Sequence, residues 1–201
     1  MKKALLMFVV MLLTFSMSVK AEDWTDLQHE VSLSYGALPV ADLLNYYENY
    51  FNPGNGSVNF YNDKGKFGAL NVSYLFYPDE DWGIGLVYSY TNSDKEILNN
   101  NKFAGTFNNS FHTISPSFKY NWYHYNFITL YSRLNAGIAI ATAKVSYMNE
   151  KAHLQESSVT KAFFMYQVSP IGIEVGYRVA GFIEAGFGHM GTVMAGIRYR
   201  I

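Results

Sequence analysis

The chain has 201 residues, a formal net charge of −1 and no cysteine, so its length fits one domain, and an exported chain of this kind folds without disulfides or thiolate metal sites. Hydrophobic residues make up 49% of it and charged residues only 15%, with 17 Tyr and 15 Phe. A soluble domain usually carries about 25% charged residues, whereas abundant Tyr, Phe, Gly and small polar residues with few charges fit a transmembrane barrel with aromatic girdles.

Residues 1–21 read as a secretory signal peptide. Lys2 and Lys3 precede an apolar run over 4–19, and Val19-Lys20-Ala21 puts small residues where cleavage needs them. The run is shorter than the ~20 residues of a spanning helix. Removing Lys2, Lys3 and Lys20 leaves twelve basic against sixteen acidic side chains, a net charge of −4, which argues against a nucleic-acid partner. The remaining 22–201 form the barrel domain, and no run within them is long and apolar enough for a spanning helix.

A strand throws successive side chains to opposite faces. The first strand, about 29–36, sets Val31, Leu33 and Tyr35 against Glu30, Ser32 and Ser34. A long connection over 37–64 follows, in which Val40, Leu43, Leu44, Tyr47 and Phe51 recur at helical spacing after Pro39, predicting a short amphipathic helix that ends at Asn52-Pro53-Gly54. The second strand, 65–77, alternates Leu70, Val72, Tyr74 and Phe76 against Asn71 and Ser73. After the turn Pro78-Asp79-Glu80-Asp81, the third, 82–91, points Ile84, Leu86, Tyr88 and Tyr90 outward. Residues 92–105, rich in Asn and Lys, read as a second long loop.

The fourth strand, 107–122, carries Ile114, Pro116, Phe118, Tyr120 and Trp122 on one face and Thr113, Ser115, Ser117, Lys119 and Asn121 on the other. Pro116 cannot donate to a ladder, so a bulge is expected there. A turn at 123–126 leads to the fifth strand, 127–145, with Leu130, Leu134, Ile138 and Ile140 out and Thr129, Tyr131, Arg133 and Asn135 in. A polar loop, 146–158, precedes the sixth strand, 159–177, with another bulge expected at Ser169-Pro170. After a short turn at 178–180, the last hairpin turns at His189-Met190-Gly191. Its final run sets Val193, Ala195, Ile197, Tyr199 and Ile201 against Met194, Gly196, Arg198 and Arg200. That makes eight strands, with connections alternating long and short until the last very short one, and crossings at or above the ~9–11 residues a bilayer needs. The fold expected is all-β, an eight-stranded antiparallel up-and-down transmembrane barrel, closed because open edges in lipid would leave backbone groups unpaired.

The stretches GALNVSYLFYPDEDWGIGLVYSY (68–90), YSRLNAGIA (131–139), SPIGIEVG (169–176) and GFIEAGFGHMGTVMAGIRYRI (181–201), in this order and spacing, resemble the small eight-stranded outer-membrane β-barrel proteins, and most of all the barrel family common in Bacteroidetes. The resemblance implies a Gram-negative outer-membrane location, contact with outer-membrane lipid, and a last strand read by the barrel-assembly machinery. That strand usually ends on an aromatic residue in the family; here Ile201 ends it, with Tyr199 two before. No catalytic residue, metal or cofactor is implied.

Seven charges fall at inward parity: Glu30, Lys119, Arg133, Glu174, Glu184, Arg198 and Arg200. Strand direction sets each toward the end where the short turns lie. They are expected to meet in one layer as a structural ion-pair plug, Glu184 pairing with Arg133 or Arg198, because buried charges must be paired and an eight-strand interior has room only for side chains. The other reading of this set is a proton or ion relay. Of the histidines, His112 lies three before Ser115, on the opposite face, and none of His29, His124, His153 or His189 has a carboxylate at useful spacing, so no catalytic or metal site is expected. Trp82, Trp122, Tyr77, Tyr120 and Tyr123 gather at the short-turn ends as one aromatic girdle, with Tyr88 and Tyr90 toward the other rim. The function expected is structural, or binding through the outer loops. A narrow conduit for solutes or ions, a lipid-modifying enzyme and a secreted soluble barrel of lipocalin type are the alternatives. The sequence names no external ligand.

Overall fold

Side chains that alternate apolar and polar suit a sheet with one face turned in, and in a computed structural model the chain builds eight such strands. Residues 29–39, 59–99, 102–148 and 154–201 are described. The strands are β1 (His29–Ala37), β2 (Asn59–Asp79), β3 (Trp82–Asn99), β4 (Lys102–Tyr125), β5 (Ile128–Met148), β6 (Leu154–Gly176), β7 (Val179–Gly188) and β8 (Val193–Arg200). Each pairs antiparallel with the next, and β8 pairs back onto β1 to close the barrel. At that seam Glu30 stands opposite Arg200 and Ser32 opposite Arg198. We call the end with the β2–β3, β4–β5 and β6–β7 turns the lower end. The expected signal peptide and the expected helix after Pro39 lie outside the described residues.

The two faces separate as the alternation predicts. Leu33, Val72, Leu86, Ile114, Leu134, Ile138, Ile183 and Val193 point out and are exposed, while the polar residues between them are buried. Tyr77 departs from the expected girdle. It continues the inward parity of Asn71, Ser73 and Leu75, is 5% exposed, and fills the lumen, because alternation along the strand decides its direction and position near a turn does not.

The middle strands run longer than their composition indicated. Residues 92–99 and 102–105, read from sequence as loop, continue the β3–β4 ladder from Asn92↔Ser110 to Asn99↔Lys102. Residues 146–148 and 154–158 likewise extend β5 and β6, and 59–64 belong to β2. Polar side chains hid these segments, since alternation is visible only when one face is apolar; the ladder itself uses backbone groups. As a result β2 to β6 outrun their neighbours. The β1–β2 pairing stops at Gly36↔Ala69 and the β6–β7 pairing at Gln167↔Gly188, so a five-stranded sheet continues upward beyond the closed barrel.

Pro116 makes no bulge. It pairs with Leu86 in unbroken register, and on the β5 side the ladder skips residues 115 and 116 and resumes in the same register at Ser117↔Asn135. A strand residue directs its N–H to one neighbour only, so a missing donor costs one bond without adding a residue. The bulge falls instead at Trp122, between Asn121↔Tyr131 and Tyr123↔Leu130. At Ser169-Pro170 both flanking ladders do shift register.

At the upper end the barrel approaches its own last hairpin closely. A side-chain carbon on Gly36 would lie 1.7 Å from the carbonyl oxygen of Met190, whereas one on Gly181 would meet nothing within 4 Å. Gly36→Ala must therefore push the hairpin away, at a cost on the order of 2 kcal/mol, while Gly181→Ala stays within about 0.5 kcal/mol of wild type. Equilibrium unfolding of the two variants measures the difference.

Candidate functional site: the charged and polar lumen

Inward parity on β1, β4, β5, β6, β7 and β8 brings all seven charges into the lumen, none more than 3% exposed. Their ion pairs fall into two sets, although Lys119 and Arg133 stand opposite each other in the β4–β5 ladder. Five make a lower network. Lys119 Nζ lies 3.1 Å from Glu30 Oε1 and also bonds Glu174. Arg200 Nε is 2.9 Å from Glu30 Oε2, and its Nη2 is 3.2 Å from Glu174 Oε2. Arg198 Nε lies 2.7 Å from Glu174 Oε2, and Nη1 donates to the Tyr177 carbonyl at 2.9 Å. Tyr77 adds a hydroxyl donor to Glu30 at 3.0 Å. Two carboxylates, three cations and a phenol thus close the lower end.

Arg133 and Glu184 stand apart as a pair, Nε to Oε2 at 3.6 Å. Tyr131 links the two groups: its hydroxyl donates to Glu184 Oε2 at 2.9 Å, and the Lys119 ammonium sits 4.3 Å from its ring centroid. Arg133 rests between the rings of Tyr131 and Phe182, at 5.7 and 6.0 Å. The sequence did not mark Tyr77 or Tyr131 as members of this network. Parity alone places both inside, so that signal was present.

Above the charges the lumen is filled from the top. The β7–β8 turn folds inward, leaving His189 and Met190 2% and 1% exposed. Met190 N donates to Gln167 Oε1 at 3.0 Å, its carbonyl accepts from Asn71 Nδ2 at 3.2 Å, and Asn135 Nδ2 reaches its sulfur at 2.8 Å. His189 Nε2 lies 3.3 Å from Ser115 Oγ. This Ser–His contact, across 74 residues of sequence, is one that spacing could not reveal. His112 points outward to the Tyr88 hydroxyl at 2.8 Å, away from Ser115. His189 Nδ1 has no hydrogen-bond partner, so no carboxylate orients the ring as a general base requires. Among the described residues, no group of three or more His, Asp or Glu has metal-binding geometry. His29 contacts the Tyr74 hydroxyl and His124 the Thr129 hydroxyl; His153 lies outside the described residues.

No family model matches the chain, and no curated protein matches it. Among solved structures it is similar to Ail, the attachment invasion locus protein of Yersinia pestis. In complex with the heparin analogue sucrose octasulfate, that structure matches at a TM-score of 0.48 and 15% identity over 87% of this chain and 97% of that one. A second Ail structure gives 0.47 and 15% over 87% and 99%. The closure into eight strands rests on this chain's own ladders.

Two measurements probe the lumen. Arg133→Met or Glu184→Leu leaves one buried charge without its partner and should cost about 3–5 kcal/mol each, while the double variant should lose much less than the sum; an additive cycle in equilibrium unfolding would show the two do not interact. Burial pushes the His189 imidazole in the turn down to about 4. The unfolded chain then binds the extra proton below its own pKa of ~6.5, so stability is lost as pH falls from there toward 4, by roughly 3 kcal/mol at most. Urea midpoints should fall across that window more for wild type than for His189→Gln.

Proposed function

We propose that this protein is an integral outer-membrane β-barrel of the small eight-stranded kind common in Bacteroidetes, exported by its N-terminal signal peptide, sealed to solutes, and acting by binding at its upper end. One observation carries the membrane reading. The exposed surface is aliphatic and aromatic on all eight strands, while the seven charges at inward parity sit inside with at most 3% exposure. Water would favour the reverse; hydrocarbon favours this arrangement. A soluble lipocalin-type barrel would bury its apolar parity, and here that parity is the exposed one.

Aromatic residues support the same reading. Tyr120, Trp122, Tyr123, Tyr125, Phe127 and Tyr199 are exposed toward the lower end, and Tyr35, Tyr88, Phe164, Tyr166 and Phe187 higher up. Two such belts mark the two interfaces of a bilayer.

The ion network below and the inserted turn above argue against a conduit, since eight strands enclose little more than their own side chains. The Ser115–His189 contact does not support catalysis: both residues are buried in the lumen, away from any lipid substrate. Binding is favoured by the extra length of the central strands. β2 to β6 have 18 to 24 residues, roughly twice the 9–11 a crossing needs. The surplus presents a sheet above the upper belt, and the partner meets it there.

Fractionated cells should hold the protein in the outer membrane, released only by detergent and with heat-modifiable gel mobility. Trypsin added to intact cells should spare Arg178, in a lower turn between β6 and β7, and reach it only after the envelope is opened. Recovery in the soluble periplasm, or reproducible open levels in planar bilayers, would count against the proposal.

A further inference from the structure

The lower rim carries a cavity that the ion network does not use. It has a volume of about 380 Å³ and lies between the β2–β3 turn and the end of β4. We infer that this cavity seats the primary-ammonium headgroup of a membrane lipid, of the phosphatidylethanolamine type. The inference rests on the membrane reading above.

Two features of the lining select such a ligand. The first is negative charge. Glu80 and Asp81 line the cavity, are exposed, and form no ion pair among the described residues. Their turn is held down by Asn121, whose backbone N donates to the Asp81 carbonyl at 2.6 Å and whose Nδ2 donates to the Glu80 carbonyl at 2.9 Å. The carboxylates are thus positioned by the main chain and remain available to a ligand.

The second feature is aromatic. The β4 bulge at Trp122 breaks the alternation, so Trp122 and Tyr123 are both turned outward, 47% and 48% exposed, beside Tyr120 at 45%. All three line the cavity. Electron-rich ring faces next to carboxylates attract an ammonium group and repel a phosphate or carboxylate. No Lys or Arg lines the cavity, and His124 on its edge is engaged with Thr129 at 2.9 Å.

A divalent cation fits less well, because the described residues include no metal-binding group of three His, Asp or Glu and ring faces do not ligate such ions. A lipid is favoured over a free amine by position. The three rings belong to the lower aromatic belt, the depth at which headgroups lie. The volume is at the low end for small-molecule sites, enough for a headgroup and too little for acyl chains, which would run along the apolar wall.

The test uses the full chain purified in an uncharged detergent and offered equal amounts of phosphatidylethanolamine and phosphatidylglycerol, with bound lipid counted by native mass spectrometry. Wild type should retain the amine lipid about tenfold over the anionic one, the size of a partly desolvated ammonium–aromatic contact. Glu80→Gln/Asp81→Asn, confined to an exposed turn, should bring the ratio close to one, and Trp122→Leu should lower it several-fold; heat-modifiable mobility checks that each variant is folded. An unchanged ratio in the double variant overturns the inference. So does a preference abolished by EDTA, which would assign the carboxylates to a metal ion, and so does soluble ethanolamine competing as well as the lipid. A chain that stays in solution without detergent would instead overturn the membrane reading.

Discussion

The ion network over the β1–β8 seam is the interaction on which the rest depends. Glu30 lies on the first strand and Arg198 and Arg200 on the last, so the contacts at 2.9 and 3.7 Å exist only when the ring is closed. A buried charge without a partner is expensive, far more than a surface pair is worth. A slip of one residue at the seam would turn Arg198 and Arg200 to the apolar outer face and strand Glu30 inside. The network therefore specifies register and closure together. It reaches four strands, since Lys119 and Glu174 come from β4 and β6.

Above it the interior is organised by shape as much as by charge. Arg133 is held between two rings, and Tyr131 ties its pair with Glu184 to the Lys119 network through its hydroxyl and its face. The inserted His189-Met190 turn occupies the space that short strands β7 and β8 leave. Asn71, Asn135 and Gln167 hold its backbone and sulfur. Gly36 makes the approach sterically possible. Among the described residues, side chains therefore fill the lumen from both ends.

Sequence legibility followed the contrast between the two faces. Where one parity was aliphatic, as at Leu33, Val72, Ile114 and Val193, strand, direction and burial were readable. Where both faces were polar, as along Asn92 to Asn99, the same ladder passed for a loop, because the signal lies in side chains and the bonding lies in the backbone. Pro116 misled for a related reason: composition shows a missing donor but not toward which neighbour it pointed. Of the lumen, the identity of the seven inward charges was legible from parity. Their pairing into two sets was not, because which side chains meet across the lumen depends on how the closed sheet sets non-neighbouring strands, which no single strand records.

The sequence by itself determined the closed eight-stranded fold, the inward set of charges and the apolar outside, since each follows from a period of two repeated along the chain. The tertiary structure decided who pairs with whom. The Ser115–His189 contact, the turn sealed into the lumen, the reach of the central strands beyond the barrel, and the cavity where the Trp122 bulge meets the Glu80-Asp81 turn all join residues distant in sequence. Such contacts are set by register, stagger and closure, quantities that belong to the assembled sheet.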